Sequence, residues 1–129
     1  MKKLLTFILF LTASSATIAA ESSGWNCINA DLEVNCNVTK CEVEKNHTPM
    51  DVYVNATKMS ICAYTGCWEG VPTSTIISGS FETFTGKALP FTTNPDSSAN
   101  ISVTVNRTSR IGMILVEGMF ANPAICTLK

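Results

Sequence analysis

Leu32-Glu33-Val34-Asn35-Cys36-Asn37-Val38-Thr39-Lys40-Cys41-Glu42-Val43-Glu44 reads as a β-hairpin. Apolar and polar side chains alternate strictly on either side of a four-residue loop, the period of a strand with one buried face. Leu32, Val34, Cys36, Cys41 and Val43 fall on one face, Glu33, Asn35, Glu42 and Glu44 on the other. Both cysteines therefore land on the apolar side, which sets the register of the hairpin and suits a bridge across it.

The same period extends outward from this hairpin. Val52, Val54 and Ala56 alternate with Asp51 and Asn55, and Met59, Ile61 and Ala63 share the next face. Cys62 falls with Lys58 and Ser60 on the opposite face, so a bridge from it to Cys67 points outward. Residues 75–84 carry apolar pairs around Gly79, a candidate bulge. Residues 88–93 form a short strand candidate in which Pro90 marks an edge or a start. Asn94-Pro95-Asp96-Ser97-Ser98 signals a turn. Ile101, Val103 and Val105 alternate with Ser102, Thr104 and Asn106, a loop follows over 106–109, and Ile111 to Val116 is apolar on both faces, as a central strand would be. A last strand falls near 125–128. After residue 20 no window of about twelve residues has helical spacing free of Gly, Pro or β-branched interruption. Seven to nine short strands predict an all-β fold, a small antiparallel β-sandwich or a filled β-barrel. Strands this short argue against a lipocalin-like barrel with an internal cavity.

Residues 1–20 read as a cleavable signal peptide. Lys2 and Lys3 precede a short apolar core over 4–11, and small residues lead to cleavage after Ala19 or Ala20. The core is far shorter than the ~20 residues of a membrane span, so no transmembrane anchor is expected. The mature chain, 21–129, is a single domain by length. It keeps seven Lys plus Arg against ten Asp plus Glu, with no block of like charge. That balance disfavours nucleic acid or an anionic membrane as partner, since both need a basic face. The expected location is periplasmic or secreted.

All six cysteines lie in the exported part. Cys36/Cys41 and Cys62/Cys67 each span a short loop, with Gly66 available for a positive φ, which leaves Cys27 with Cys126. Fifteen pairings are formally open, and spacing favours this one. A four-thiolate zinc site is the alternative for the two Cys-x4-Cys motifs. No metal or cofactor is expected, because zinc sites more often use Cys-x2-Cys and export favours disulfides.

Catalytic signatures are thin. His47 is the sole histidine, in a polar loop before Pro49, and there is no Gly-x-Ser-x-Gly elbow. Glu69 with Asp51 or Glu117 would be the carboxylates of a small hydrolase, but nothing in the sequence brings them together. Five Asn-x-Ser/Thr triplets, at Asn37, Asn46, Asn55, Asn100 and Asn106, read as strand and turn residues given the bacterial-type leader.

The most distinctive segment is Ile61-Cys62-Ala63-Tyr64-Thr65-Gly66-Cys67-Trp68-Glu69-Gly70. A bridged hairpin there would present Tyr64 and Trp68, with Glu69, as rigid interface anchors. The competing reading places Trp68 in the core and Tyr64 over the rim. Trp25, beside Cys27, is expected in the core.

The layout resembles small uncharacterised exported β-proteins of proteobacteria, in its signal peptide, its early Trp25-Asn26-Cys27, its mid-chain cysteines and its terminal cysteine. That resemblance implies no activity. A fainter one, to periplasmic C-type lysozyme inhibitors, rests on size, export, β-content and cysteines near both ends. Ser78-Gly79-Ser80-Phe81 lacks the tyrosine of their Ser-Gly-x-x-Tyr loop and no Lys-Gly occurs, so no inhibitory residue carries over. The resulting expectation is a non-enzymatic binding domain for an unknown protein or envelope component. An enzyme inhibitor, a small hydrolase and an envelope structural subunit are the alternatives.

Overall fold

The computed structural model describes residues 23–129 apart from 30 and 46. The expected signal peptide and Asn46 lie outside them. Eleven strands follow in order: β1 (Trp25–Asn29), β2 (Glu33–Cys36), β3 (Cys41–Glu44), β4 (Met50–Val54), β5 (Met59–Ala63), β6 (Gly66–Gly70), β7 (Ser74–Ser78), β8 (Phe81–Phe91), β9 (Asn94–Asn106), β10 (Ile111–Val116) and β11 (Phe120–Leu128). No helix occurs among the described residues.

Eight strands pair antiparallel in the order β1-β4-β5-β6-β8-β9-β10-β11, and β11 returns to β1. The sheet is a closed barrel, so of the two architectures expected the sandwich is not the one formed. Closure is completed by the seam between first and last strands. There Ile28 faces Ile125 and Cys27 faces Cys126, and Gly24 and Lys129 exchange backbone hydrogen bonds of 3.1 and 2.8 Å.

Alternation explains the interior. Cys27, Val52, Ile61, Trp68, Phe84, Val103, Ile114 and Cys126 all point inward and are buried. Met50 and Met59 fill the space between the branched side chains, a role suited to an unbranched and adaptable chain. The interior is occupied by side chains, as expected of a filled barrel. Yet β8 and β9 run for 11 and 13 residues, so the strands are not uniformly short.

Three disulfides join Cys27–Cys126, Cys36–Cys41 and Cys62–Cys67, the pairing that spacing favours, and no cysteine is free. The zinc alternative falls, since every thiolate it would use is bonded to another sulfur. Each bridge joins residues directly opposite on neighbouring strands, with Cα atoms 3.9–4.0 Å apart. The backbone N–H of Cys126 donates to Arg110, away from β1. Cys27 and Cys126 therefore occupy a non-hydrogen-bonded position, where facing side chains lie closest. A Cβ at Gly112 would stand 2.7 Å from the Cys126 sulfur. The missing side chain is what admits the bridge to the barrel interior.

Five local expectations are corrected. The hairpin of β2 and β3 has the expected register, Val34 opposite Val43, but not the expected burial. It touches the barrel through Val34 and Ala121, so all of β3 and both its cysteines stay exposed. Gly79 is no bulge. It takes φ 57° in the two-residue turn joining β7 to β8, splitting what reads as one strand. The reversal assigned to Asn94–Ser98 falls at Thr92-Thr93, because Asn94 already pairs with Phe91. Pro90 lies within β8, just ahead of a shift in register, rather than starting a strand. Finally, β10 is apolar on both faces but buried on one. Gly112, Ile114 and Val116 enter the core, whereas Ile111, Met113 and Leu115 face outward.

Three of the Asn-x-Thr triplets are a turn device. At Asn37, Asn55 and Asn106 the side-chain oxygen accepts the backbone N–H groups two and three residues on, at 2.7–3.0 Å. This Asx turn satisfies donors that a tight reversal would otherwise strand. Asn100 lies in β9, where it accepts from the Ala88 N–H and donates to Glu117.

Candidate functional site

The hairpin of β5 and β6 separates the residues that the sequence groups together. Cys62 faces Cys67 and Ala63 faces Gly66, leaving Tyr64-Thr65 as the loop. Period two then sends Trp68 inward and its neighbours outward. Trp68 is 4 % exposed and tilts against Phe91, with ring centroids 4.8 Å apart. It is a core residue and does not act as a displayed anchor. Its indole N–H is buried without a partner. Glu69, half-buried on the outer wall, accepts a 2.8 Å hydrogen bond from Ser60. Tyr64 alone is displayed, 66 % exposed at the hairpin tip.

Tyr64 also carries the backbone conformation assigned to Gly66. Its φ is 57°, at the first central residue of a two-residue loop, where tight hairpins require the left-handed region. Glycine or asparagine adopts that region at little cost, whereas a bulky residue there is an outlier. Gly66 is needed for space instead. A Cβ there would stand 2.9 Å from both the Phe91 ring and the Thr92 hydroxyl.

Beneath the tip lies a concavity of about 560 Å³, lined by Tyr64, the Cys62–Cys67 bridge, Pro49, Asp51 and Ile28. From it an outward row crosses six adjacent strands in register. Cys67 pairs with Cys62, Cys62 with Asp51, Asp51 with Ile28, Ile28 with Ile125, and Ile125 with Ile111. At about 4.8 Å between strands the row spans roughly 24 Å of barrel wall. Asp51 is its one charged member. Met113 beside Pro123 and Leu115 beside Ala121 widen its far end, and Ile28, Ile111, Met113, Leu115 and Ile125 are all exposed. Isolated apolar residues on a surface are ordinary, but a contiguous band of them is characteristic of interaction surfaces. The sequence signal was the two-faced apolar run at 111–116, which lends itself equally to burial on both sides.

The carboxylates considered for hydrolysis are engaged apart from one another. Glu69 accepts from Ser60 on β5 and Glu117 from Asn100 on β9, while Asp51 stands on the outer row. His47 is half-buried, its Nδ1 3.0 Å from the Lys45 carbonyl and its Nε2 without a partner. Among the described residues no cluster of His, Cys, Asp or Glu is arranged to hold a metal ion. No described helix is long and apolar enough to cross a membrane.

Fold and surface together define a disulfide-braced, closed eight-stranded barrel with an apolar outer wall. Comparison with known protein families, with characterised proteins and with solved structures returns no match.

Proposed function

We propose that this chain is an exported, non-enzymatic binding domain that takes a protein or envelope component on its outer wall, with Tyr64 at one end of the contact. The observation that carries the reading is Tyr64 itself. A large aromatic side chain stands in solvent on a left-handed backbone, where glycine would relieve strain of about 1–2 kcal/mol. Strain retained at an exposed aromatic tip is accounted for when the tip has a partner. The bridge beneath it fixes the loop, so little order is lost on binding. The adjoining Ile28–Ile125–Ile111 row supplies apolar area, with Asp51 as the one charge between it and the tip. Export is supported by the leader over 1–20 and by the three disulfides, which suit an oxidising compartment.

The test uses the oxidised mature chain, 21–129, as bait for envelope and secreted fractions read by mass spectrometry. Tyr64→Gly and Ile125→Asp are compared with it. Both positions are exposed, so both variants should keep the fold and lose at least tenfold in affinity for the captured partner. Tyr64→Gly should also melt no earlier than the parent. Undiminished capture by both folded variants would place the contact elsewhere. Turnover of cell-wall, sugar or ester substrates by the pure protein would replace binding with catalysis.

A further inference from the structure

Trp25 pairs with Val54, and Val54 with Met59, at the ends of β4 and β5 remote from Tyr64. That end of the barrel has its own chemistry. Trp25 and Glu82 are the first inward residues of β1 and β8, two positions ahead of buried Cys27 and Phe84. The Trp25 indole N–H donates to the Glu82 carboxylate at 2.9 Å. Both line a concavity of about 540 Å³, together with Ile77, Ser80, Arg107 and Leu128. Small-molecule sites fall in the range ~300–1,000 Å³. The rim is held by backbone hydrogen bonds. The Arg107 N–H donates to the Ser80 carbonyl at 2.7 Å, tying the β9–β10 loop to the β7–β8 turn, and Asn106 caps that loop by accepting from Thr108 and Ser109. Walls fixed in advance give up little entropy when a ligand enters.

Glu82 and Arg107 are the two charged residues of this lining, and they carry opposite signs. They do not neutralise each other, since among the described residues the only ion pair is Lys40 with Glu42. Glu82 is half-buried, and with one oxygen taken by the indole it keeps the other for a further donor. Arg107 is exposed, and its planar fork suits a carboxylate. Ile77 and Leu128 add apolar surface. We infer that the concavity takes a small zwitterion with an apolar body, its ammonium on Glu82 and its carboxylate on Arg107. A free α-amino acid and a short peptide share that chemistry. An amine or an acid alone leaves one of the two charges unanswered, which is how the site discriminates. The inference does not rest on the Tyr64 contact.

Proton–nitrogen NMR of the oxidised mature chain reads the site directly. The chain has two indoles, and that of Trp68, buried without a partner, is the internal reference. Leucine should move the Trp25 indole signal saturably and leave that of Trp68 in place. Isopentylamine and isocaproate, each with one of leucine's two charges, should bind at least tenfold more weakly. Leucyl-leucine separates the sources: tighter binding than leucine assigns a peptide, weaker binding a free amino acid. Glu82→Gln keeps an acceptor for the indole and should cost leucine at least tenfold, as should Arg107→Gln. Arg110→Gln, outside the lining, should cost nothing. A Trp25 signal that neither leucine nor the dipeptide moves overturns the inference. So does an amine or acid that binds as tightly as leucine, or leucine binding that survives both Glu82→Gln and Arg107→Gln. The single-charge ligands need no variant, so they decide the matter even if a substitution unfolds the chain.

Discussion

Replacing Cys27 and Cys126 together by alanine removes the bridge across the seam that closes the barrel. The two residues are 99 apart in sequence, and the chain-entropy relation gives such a bridge ~4.7 kcal/mol. Both sulfurs are fully buried, so their loss adds a packing defect of roughly 1 kcal/mol each. The total, about 6–7 kcal/mol, rivals the ~5–15 kcal/mol that separates folded from unfolded states in a domain of this size. The control is Cys36→Ala with Cys41→Ala. That bridge spans five residues on an exposed hairpin, for which the same relation gives about 2 kcal/mol. With a urea dependence of ~1–3 kcal/mol per molar, the control midpoint should fall by roughly 1–2 M. The seam variant should be unfolded, or nearly so, without denaturant. The assay is equilibrium urea unfolding followed by tryptophan fluorescence, which Trp25 and Trp68 report from the core. Equal losses in the two variants would refute the reasoning. They would mean that the β1–β11 backbone pairing holds the seam without covalent help.

Two further outcomes follow from local geometry. Gly112→Ala drives a methyl group toward the Cys126 sulfur and should destabilise by about 1–3 kcal/mol. In a background lacking the Cys27–Cys126 bridge the added loss should shrink, a coupling that a double-mutant cycle by urea titration measures. Among the turns, Asn55→Ala should cost more than Asn37→Ala. Both side chains hold a turn, but Asn55 is buried and also donates to the Tyr53 hydroxyl, so its removal costs about 2 kcal/mol against about 1 for Asn37. Paired thermal melts of the two variants check the order.

Strand content and the two short bridges were legible because they are written locally, and the third bridge, 99 residues long, follows only by elimination. Alternation over 32–44 and 50–63 fixes which residues face each other, and Cys-x4-Cys fits a reversal of that length. Burial was less legible, because it depends on what lies above a face. The hairpin of 33–44 has an apolar side with almost nothing over it, and Ile111–Val116 has two apolar sides of which one meets solvent. Trp68 illustrates the same limit within the candidate site. Its parity relative to Cys67 sends it inward, and that parity acquires a direction only once the sheet curls into a barrel. For Tyr64 the sequence leaves display and rim cover both open, and its left-handed φ is hidden, since residue type favours glycine while the loop's register puts the demand on the first central position.

The pairing of β1 with β11 has a consequence for the order of assembly. As the chain emerges, β1 can find β4 early, but its other neighbour, β11, is joined to it by a bridge 99 residues further along. Until Phe120–Leu128 arrives, the apolar wall of an open sheet must wait with one margin unmatched. Non-local pairing of this kind lengthens the search for the native state. The incomplete sheet is then the species most exposed to wrong partners, and the pairing of β1 with β11, which the Cys27–Cys126 bridge crosses, ends that exposure.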